Sequence, residues 1–258
     1  MGYLSVTVKP TLPVAGMIQS NKTDKPFAAG DIICDWNSFN IPRGSIKLES
    51  ITLLIRGENG GLQTSRDVEV YFAKGDSDGT APTSLGVVNA STLGVGYYNN
   101  LLGVQVLDVT NYGSKLDYMS VATLGVSAAG GGAGTNLVLN GESAYSNSSL
   151  NIGFDTLYIG LIGGASYTHD FATGVLLNDA SDIAVGDTAL VTDGIDAHKV
   201  FAPGDIILKH DSDTVVGTVK SVSANLITLE SPGSGVVIAD DDEIMNSQPI
   251  TIILGFEK

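Results

Sequence analysis

The side chains able to take up and return a proton near neutral pH are few: His169, His198 and His210 are the only histidines in 258 residues. Each has an acidic neighbour in the chain, Asp170, Asp196 and Asp211 respectively, and an imidazole beside a carboxylate is the raw material of a general base. The spacing speaks against that use. Consecutive side chains of a strand point to opposite faces, so pairs such as His169 and Asp170 or His210 and Asp211 are held apart. The Gly-x-Ser-x-Gly pattern that lifts a serine nucleophile onto a sharp strand-to-helix turn occurs once, as Gly75-Asp76-Ser77-Asp78-Gly79, but there it ends the Asp67 to Lys74 strand with no helical pattern after it, and it reads as a turn. The histidines read as solvated loop residues, and no catalytic residue is expected.

Metal and cofactor chemistry is equally sparse. With one cysteine, Cys34, and no His-Glu-x-x-His, a zinc site is not expected, and a single cysteine cannot form an intrachain disulfide. Oxygen ligands occur at Asp76 and Asp78, at Asp211 and Asp213, and in the run Asp240-Asp241-Asp242-Glu243. These could hold calcium only with help from loop carbonyls, and none follows the twelve-residue calcium loop. Neighbouring carboxylates that repel each other into water are the simpler reading. The glycine patterns that cradle phosphates are absent. We therefore expect no metal and no cofactor. The triplets at Asn21, Asn89 and Asn147 match a glycosylation acceptor but are read as chance. Trp36 is the only tryptophan, and Tyr97-Tyr98-Asn99-Asn100 with Tyr112 could form a polar aromatic surface. Tyrosine suits subunit contacts, burying a ring while its hydroxyl stays hydrogen-bonded, and this reading is preferred to a sugar-stacking platform.

The elements that would carry these residues are strands. In Asp67 to Lys74, Val68, Val70 and Phe72 alternate with Glu69, Tyr71 and Ala73, the pattern of a half-buried strand. Between Ser45 and Arg56 the phase changes, from Ile46 and Leu48 to Ile51, Leu53 and Ile55, which predicts a β-bulge near Glu49 and Ser50. Leu157 to Ile162 and Pro249 to Phe256 are apolar in both phases and read as central strands covered on both faces. Tyr3 to Val8, Gly30 to Trp36, Gly103 to Val109 and Leu116 to Leu124 complete the count, the last with room for a short helix. The Gly-rich run Ala128 to Gly134 reads as a surface loop.

After Phe171 the texture changes to short strands and compact turns, as in a small barrel. The expected fold is therefore all-β: a jelly-roll-like β-sandwich over residues 1–172 plus 248–258, with a small β-barrel, 173–247, inserted before the last strand. Phe27-Ala28-Ala29-Gly30-Asp31-Ile32-Ile33 is echoed by Phe201-Ala202-Pro203-Gly204-Asp205-Ile206-Ile207. Shared turn chemistry, with glycine in a left-handed conformation and aspartate bonding the local backbone, accounts for the echo.

Composition bounds the partners. Lys and Arg number 13 against 28 Asp and Glu, a net charge of −15, and that excess repels phosphate backbones and anionic lipid. Nucleic acid and membrane are not expected partners. No run of about 18 apolar residues exists, and Met1 to Val6 lack the blocks of a secretory signal.

At Asp67 to Lys74, Leu157 to Leu161 and Pro249 to Phe256 the chain resembles virion structural proteins of tailed bacteriophages, particularly marine and cyanobacterial ones. The likeness covers most of the chain as a jelly-roll-like pattern with an inserted barrel. It implies a non-enzymatic capsid decoration, or cement, protein, often trimeric, sitting on the outer shell of the virion against the major capsid protein or another virion protein. A receptor- or glycan-binding module of a head fibre or tail is the alternative. No site residue carries over from the resemblance.

Overall fold

The computed structural model describes residues 2–19, 24–42, 44–58, 61, 66–75, 80–94, 96–116, 118–125, 135, 137–141, 154–172, 174–178, 182–210 and 212–258. Asn21, Asp76, Asp78, the run 128–134, Asn147 and Asp211 lie outside them. The fold is all-β, a jelly-roll-like sandwich with a small barrel inserted before its last strand.

The sandwich is built from β1 (Tyr3–Val8), β2 (Phe27–Ala28), β3 (Ile32–Pro42), β4 (Gly44–Arg56), β5 (Val68–Lys74), β6 (Leu101–Leu107), β7 (Tyr112–Leu116), β8 (Met119–Gly125), β9 (Val138–Gly141), β10 (Phe154–Gly163) and β11 (Thr168–His169). The barrel follows as β12 (Gly174–Leu177), β13 (Ala189–Asp193), β14 (Ile206–Lys209), β15 (Val215–Ser223), β16 (Leu226–Leu229) and β17 (Glu243–Asn246), and β18 (Ile250–Glu257) returns to the sandwich. Two short helices, α1 (Val14–Met17) and α2 (Ala197–Val200), sit in the connections.

The first sheet runs β1-β18-β4-β8-β7, with β9 also on β4, and the second runs β3-β10-β5-β6. Alternation places Ile51, Leu53 and Ile55 of β4 and Ile252, Leu254 and Phe256 of β18 in one core with Val68, Val70 and Phe72 of β5 and Leu157, Ile159 and Leu161 of β10. Phe39 stacks on Phe256 across the gap, ring centroids 6.2 Å apart. The bulge falls where the phase change puts it: Gly255 pairs with Ser50 and Phe256 with Leu48, leaving Glu49 as the extra residue. Without it, either Ile46 and Leu48 or the following three residues would face water.

β10 is central and buried on both faces. Its outer face is covered by the segment 80–100, whose Leu85 approaches so closely that a Cβ on Gly160 would stand 2.5 Å from its Cδ1. β18 departs from the expectation. It is central, but Thr251, Ile253 and Gly255 on its outer face are only half-buried, because nothing among the described residues forms a layer over that face. The Leu116 to Leu124 stretch is the β7–β8 hairpin rather than a helix.

The six barrel strands close in the order β12-β13-β16-β15-β14-β17 around Leu190, Ile207, Val216, Val219, Ile227 and Ile244. Four turns share one construction. At Ala28–Asp31 and Ala202–Asp205 the aspartate Oδ2 accepts the alanine N–H at 2.7 and 2.8 Å, and the aspartate N–H returns to the alanine carbonyl at 3.1 Å in both. The glycines stand at φ +85° in both turns, as a type II turn requires at its third position. Ala184–Asp187 and Ala239–Asp242 repeat the pattern, the last with Asp241 at φ 63° in the glycine's place.

The barrel is seated on the sandwich. Leu208 and Met245 join the sandwich core, the Leu12 N–H donates to the Ser247 carbonyl at 2.7 Å, and the Val14 N–H donates to Asp213 at 2.8 Å. At the joint Asp205, its side chain 3% exposed, takes Lys9 Nζ at 3.0 Å and Arg56 Nη2 at 3.6 Å. Lys9 is on Oδ1, and Asn246 donates at 2.9 Å to Oδ2, the oxygen that Arg56 faces.

Candidate functional site

The three histidines are spread over separate places, each in a contact of its own. His169 is not a solvated loop residue. It is 1% exposed, packed edge-on against Phe171 with centroids 4.1 Å apart, with Nδ1 3.2 Å from the Glu58 carboxylate. Burial pushes its pKa below 6.5 while Glu58 pulls the other way. The Glu58 carboxyl is held low, first by His169 and also by the Asp170 N–H, which donates to it at 3.0 Å. The neighbouring Tyr167 hydroxyl is buried without a hydrogen-bond partner among the described residues.

His210 contacts Glu243 at 3.1 Å and the Ala172 carbonyl at 3.3 Å, and the ring of His198 meets that of Tyr118 edge-on at 5.2 Å. The two sequence neighbours among the described residues are occupied elsewhere: Asp170 accepts the Ala172 N–H at 2.8 Å, and Asp196 pairs with Lys199 at 3.2 Å. Glu58 and Glu243, the carboxylates that do reach imidazoles, are distant in sequence and carried no local signal.

The acidic run 240–243 is taken up by structure. Asp242 accepts the Ala239 N–H at 3.0 Å and pairs with Lys209 at 2.8 Å, while Glu243 faces His210. Among the described residues no three His, Cys, Asp or Glu side chains converge as metal ligands. Asn89 is 7% exposed, and its amide donates to the Gly16 and Lys25 carbonyls at 2.7 Å each. It pins the 80–100 segment against α1 and offers no accessible amide for a glycan.

The aromatic surface divides. Tyr112 belongs to the first sheet, its hydroxyl donating to the Arg66 carbonyl at 2.7 Å, and burial raises its pKa to about 12. Tyr97 is buried over Trp36, centroids 5.7 Å apart, and the Trp36 indole N–H donates to the Thr83 carbonyl at 2.9 Å. Tyr98 packs edge-on against Tyr97 at 5.0 Å and remains 59% exposed. Tyr97 therefore clamps the segment to the second sheet, Tyr112 belongs to the first sheet, and Tyr98 looks outward.

Tyr98 leads directly into β6, the last strand of the second sheet. Its sequence, Leu101-Leu102-Gly103-Val104-Gln105-Val106-Leu107, holds neither a charge nor a proline. Register sets Val104 beside Tyr71 and Val106 beside Glu69, and Val106 and the following Val109 are each 51% exposed. Among the described residues no strand pairs with its outer side. A free edge of seven residues is roughly 23 Å long, with about six unpaired N–H and C=O groups. Natural edges are blunted by lysine, proline or a bulge; β6 has a bulge at Leu102, between the pairs Phe72–Gly103 and Ala73–Leu101, and from Gly103 to Leu107 the edge is uncharged and in regular register. β1, likewise uncharged, instead lies against β3 of the facing sheet.

No helix among the described residues is long and apolar enough to cross a membrane. No protein-family model matches the chain, and no curated protein matches it.

Proposed function

We propose that this chain is a non-enzymatic structural subunit of a virion, a decoration protein that sits on the outer capsid shell of a tailed phage as an oligomer. The sandwich makes the contacts with its copies and with the shell, and the barrel is directed outward. The virion assignment rests on the resemblance at Asp67 to Lys74, Leu157 to Leu161 and Pro249 to Phe256, which also suggests a trimer. The assembly role rests on one observation, the open uncharged edge of β6 beside exposed Tyr98.

Copies carrying −15 each repel over most of their surface, so a second copy approaches best where charge is missing. Backbone pairing along such an edge supplies affinity, and the flanking Tyr98, Val106 and Val109 supply apolar contact. The non-enzymatic reading rests on the same resemblance; His169 and His210 face Glu58 and Glu243, and His198 packs on Tyr118. Mass spectrometry of density-purified particles from a culture producing the chain tests the placement. The protein is expected among the virion proteins at a copy number comparable with that of the shell subunit. Its presence in the lysate and absence from the particles refutes the placement.

A further inference from the structure

The first sheet carries a cleft on its outer face that the assembly role leaves unused. Three strands cross there in register, and their outward residues form transverse rows: Tyr3 with Glu257 and Lys47, then Ser5 with Gly255 and Ser50. Gly255 lacks a side chain at the centre, and the Ser50 hydroxyl leans over it so closely that a Cβ there would collide with its Oγ, with Ser5 on the other side of the row. The cleft measures about 600 Å3, within the range of small-molecule sites.

Its walls are chemically mixed. Tyr3 is 78% exposed at one end, and Ile253 lines the same cleft. The bulge puts Glu49 between the rows, where Lys47 Nζ lies 2.5 Å from its carboxylate, and Glu257 lines the same cleft. A free-standing aromatic face, two carboxylates able only to accept hydrogen bonds when ionised, and two hydroxyls able to donate or accept surround one floor.

We infer that this cleft binds a saccharide, one ring face resting on Tyr3 and its hydroxyls donating to Glu257 and Glu49. Two carboxylates disfavour an anionic ligand. Lys47 already occupies Glu49, which disfavours a divalent cation, and the serines and glutamates disfavour a purely apolar one. A neutral polyhydroxylated ring satisfies every wall: its C–H face is apolar, and adjacent hydroxyls match the two oxygens of a carboxylate. The site belongs to the sheet opposite β6 and does not depend on the assembly reading.

The full chain is tested on a printed glycan array, and D-glucose, D-galactose and N-acetyl-D-glucosamine are followed by saturation-transfer NMR at millimolar concentration. Binding is expected, with the protein's saturation reaching the sugar's C–H protons. Tyr3→Ala and Glu257→Gln should each weaken it about tenfold or more, a loss of at least ~1.4 kcal/mol. Circular dichroism should be unchanged, since both side chains lie on the outer face. The inference is overturned if no glycan or sugar binds the wild type, if binding survives both substitutions, or if calcium ions alone perturb the site.

Discussion

Replacing Asp205 by Asn keeps the shape of a buried side chain and deletes its charge. The carboxylate lies at the joint between barrel and sandwich, with Lys9 at 3.0 Å and Arg56 at 3.6 Å. Asn246 and the Ala202 N–H supply the remaining bonds at 2.9 and 2.8 Å. Removing one partner of a buried ion pair costs ~3–5 kcal/mol because the charges left behind stay desolvated. Lys9 is 32% exposed and Arg56 19%, so both recover some hydration, and the expected loss falls to about 2–3 kcal/mol. With a urea slope of about 3 kcal/mol per molar for a chain of this size, the unfolding midpoint drops by roughly 0.7–1 M.

Asp187→Asn is the internal control. Asp187 occupies the same turn position and accepts the Ala184 N–H at 2.8 Å, but among the described residues no cation faces it. An asparagine oxygen can still accept there, so the cost stays under about 1 kcal/mol. Urea titrations of both variants, followed by tryptophan fluorescence and circular dichroism, separate the two effects. Equal midpoint shifts would refute the view that the cations, rather than the turn, make Asp205 the bolt of the joint.

Two further outcomes follow from the buried polar cluster beside it. Tyr167→Phe deletes a buried hydroxyl with no partner among the described residues, and should be neutral or stabilising by up to about 1 kcal/mol in a thermal melt; a clear destabilisation would mean the hydroxyl is satisfied. His169 titrates lower in the folded protein than its ordinary 6.5, so the unfolded chain binds the proton first. Its contribution is full above pH 6.5 and is lost as pH falls from there through the depressed folded value. His169→Gln should flatten that stretch of the stability curve in urea titrations at stepped pH, and an unchanged slope would contradict the assignment.

The sandwich was legible because its signal is local. The phase change between Leu48 and Ile51 predicts the bulge at Glu49, and the doubly apolar Leu157 to Ile162 predicts a central strand. Other elements had no such signal. β12 and β17 are four residues each, too short for a period to establish itself, and β17 begins inside an acidic run whose Glu243 looks like part of a turn. The cover over β10 is made by Leu85 and Tyr97, isolated apolar residues in coil, so nothing periodic marks it. The partnership of His169 with Glu58 depends on long-range pairing, as does the cleft. Tyr3, Glu257 and Lys47 share a row only once register is known, whereas the bulge that opens it was visible from the start. Two of the four Ala-to-Asp turns were visible as an echo. The other two are harder to see: Ala184-Val185-Gly186-Asp187 keeps the alanine, glycine and aspartate but lacks the flanking phenylalanine and isoleucine pair of the echo, and Ala239-Asp240-Asp241-Asp242 puts an aspartate at φ 63° where the others have glycine.

The central claim, that β6 is an assembly edge, is tested most directly by light scattering of the wild type beside a Val104→Lys, Val106→Lys double variant. Charges on an open edge strand are the device that prevents edge pairing. The account predicts an oligomer for the wild type, expected as a trimer, and a folded monomer for the variant. A wild type that is monomeric at every concentration, or an oligomer that the two lysines leave intact, would contradict it.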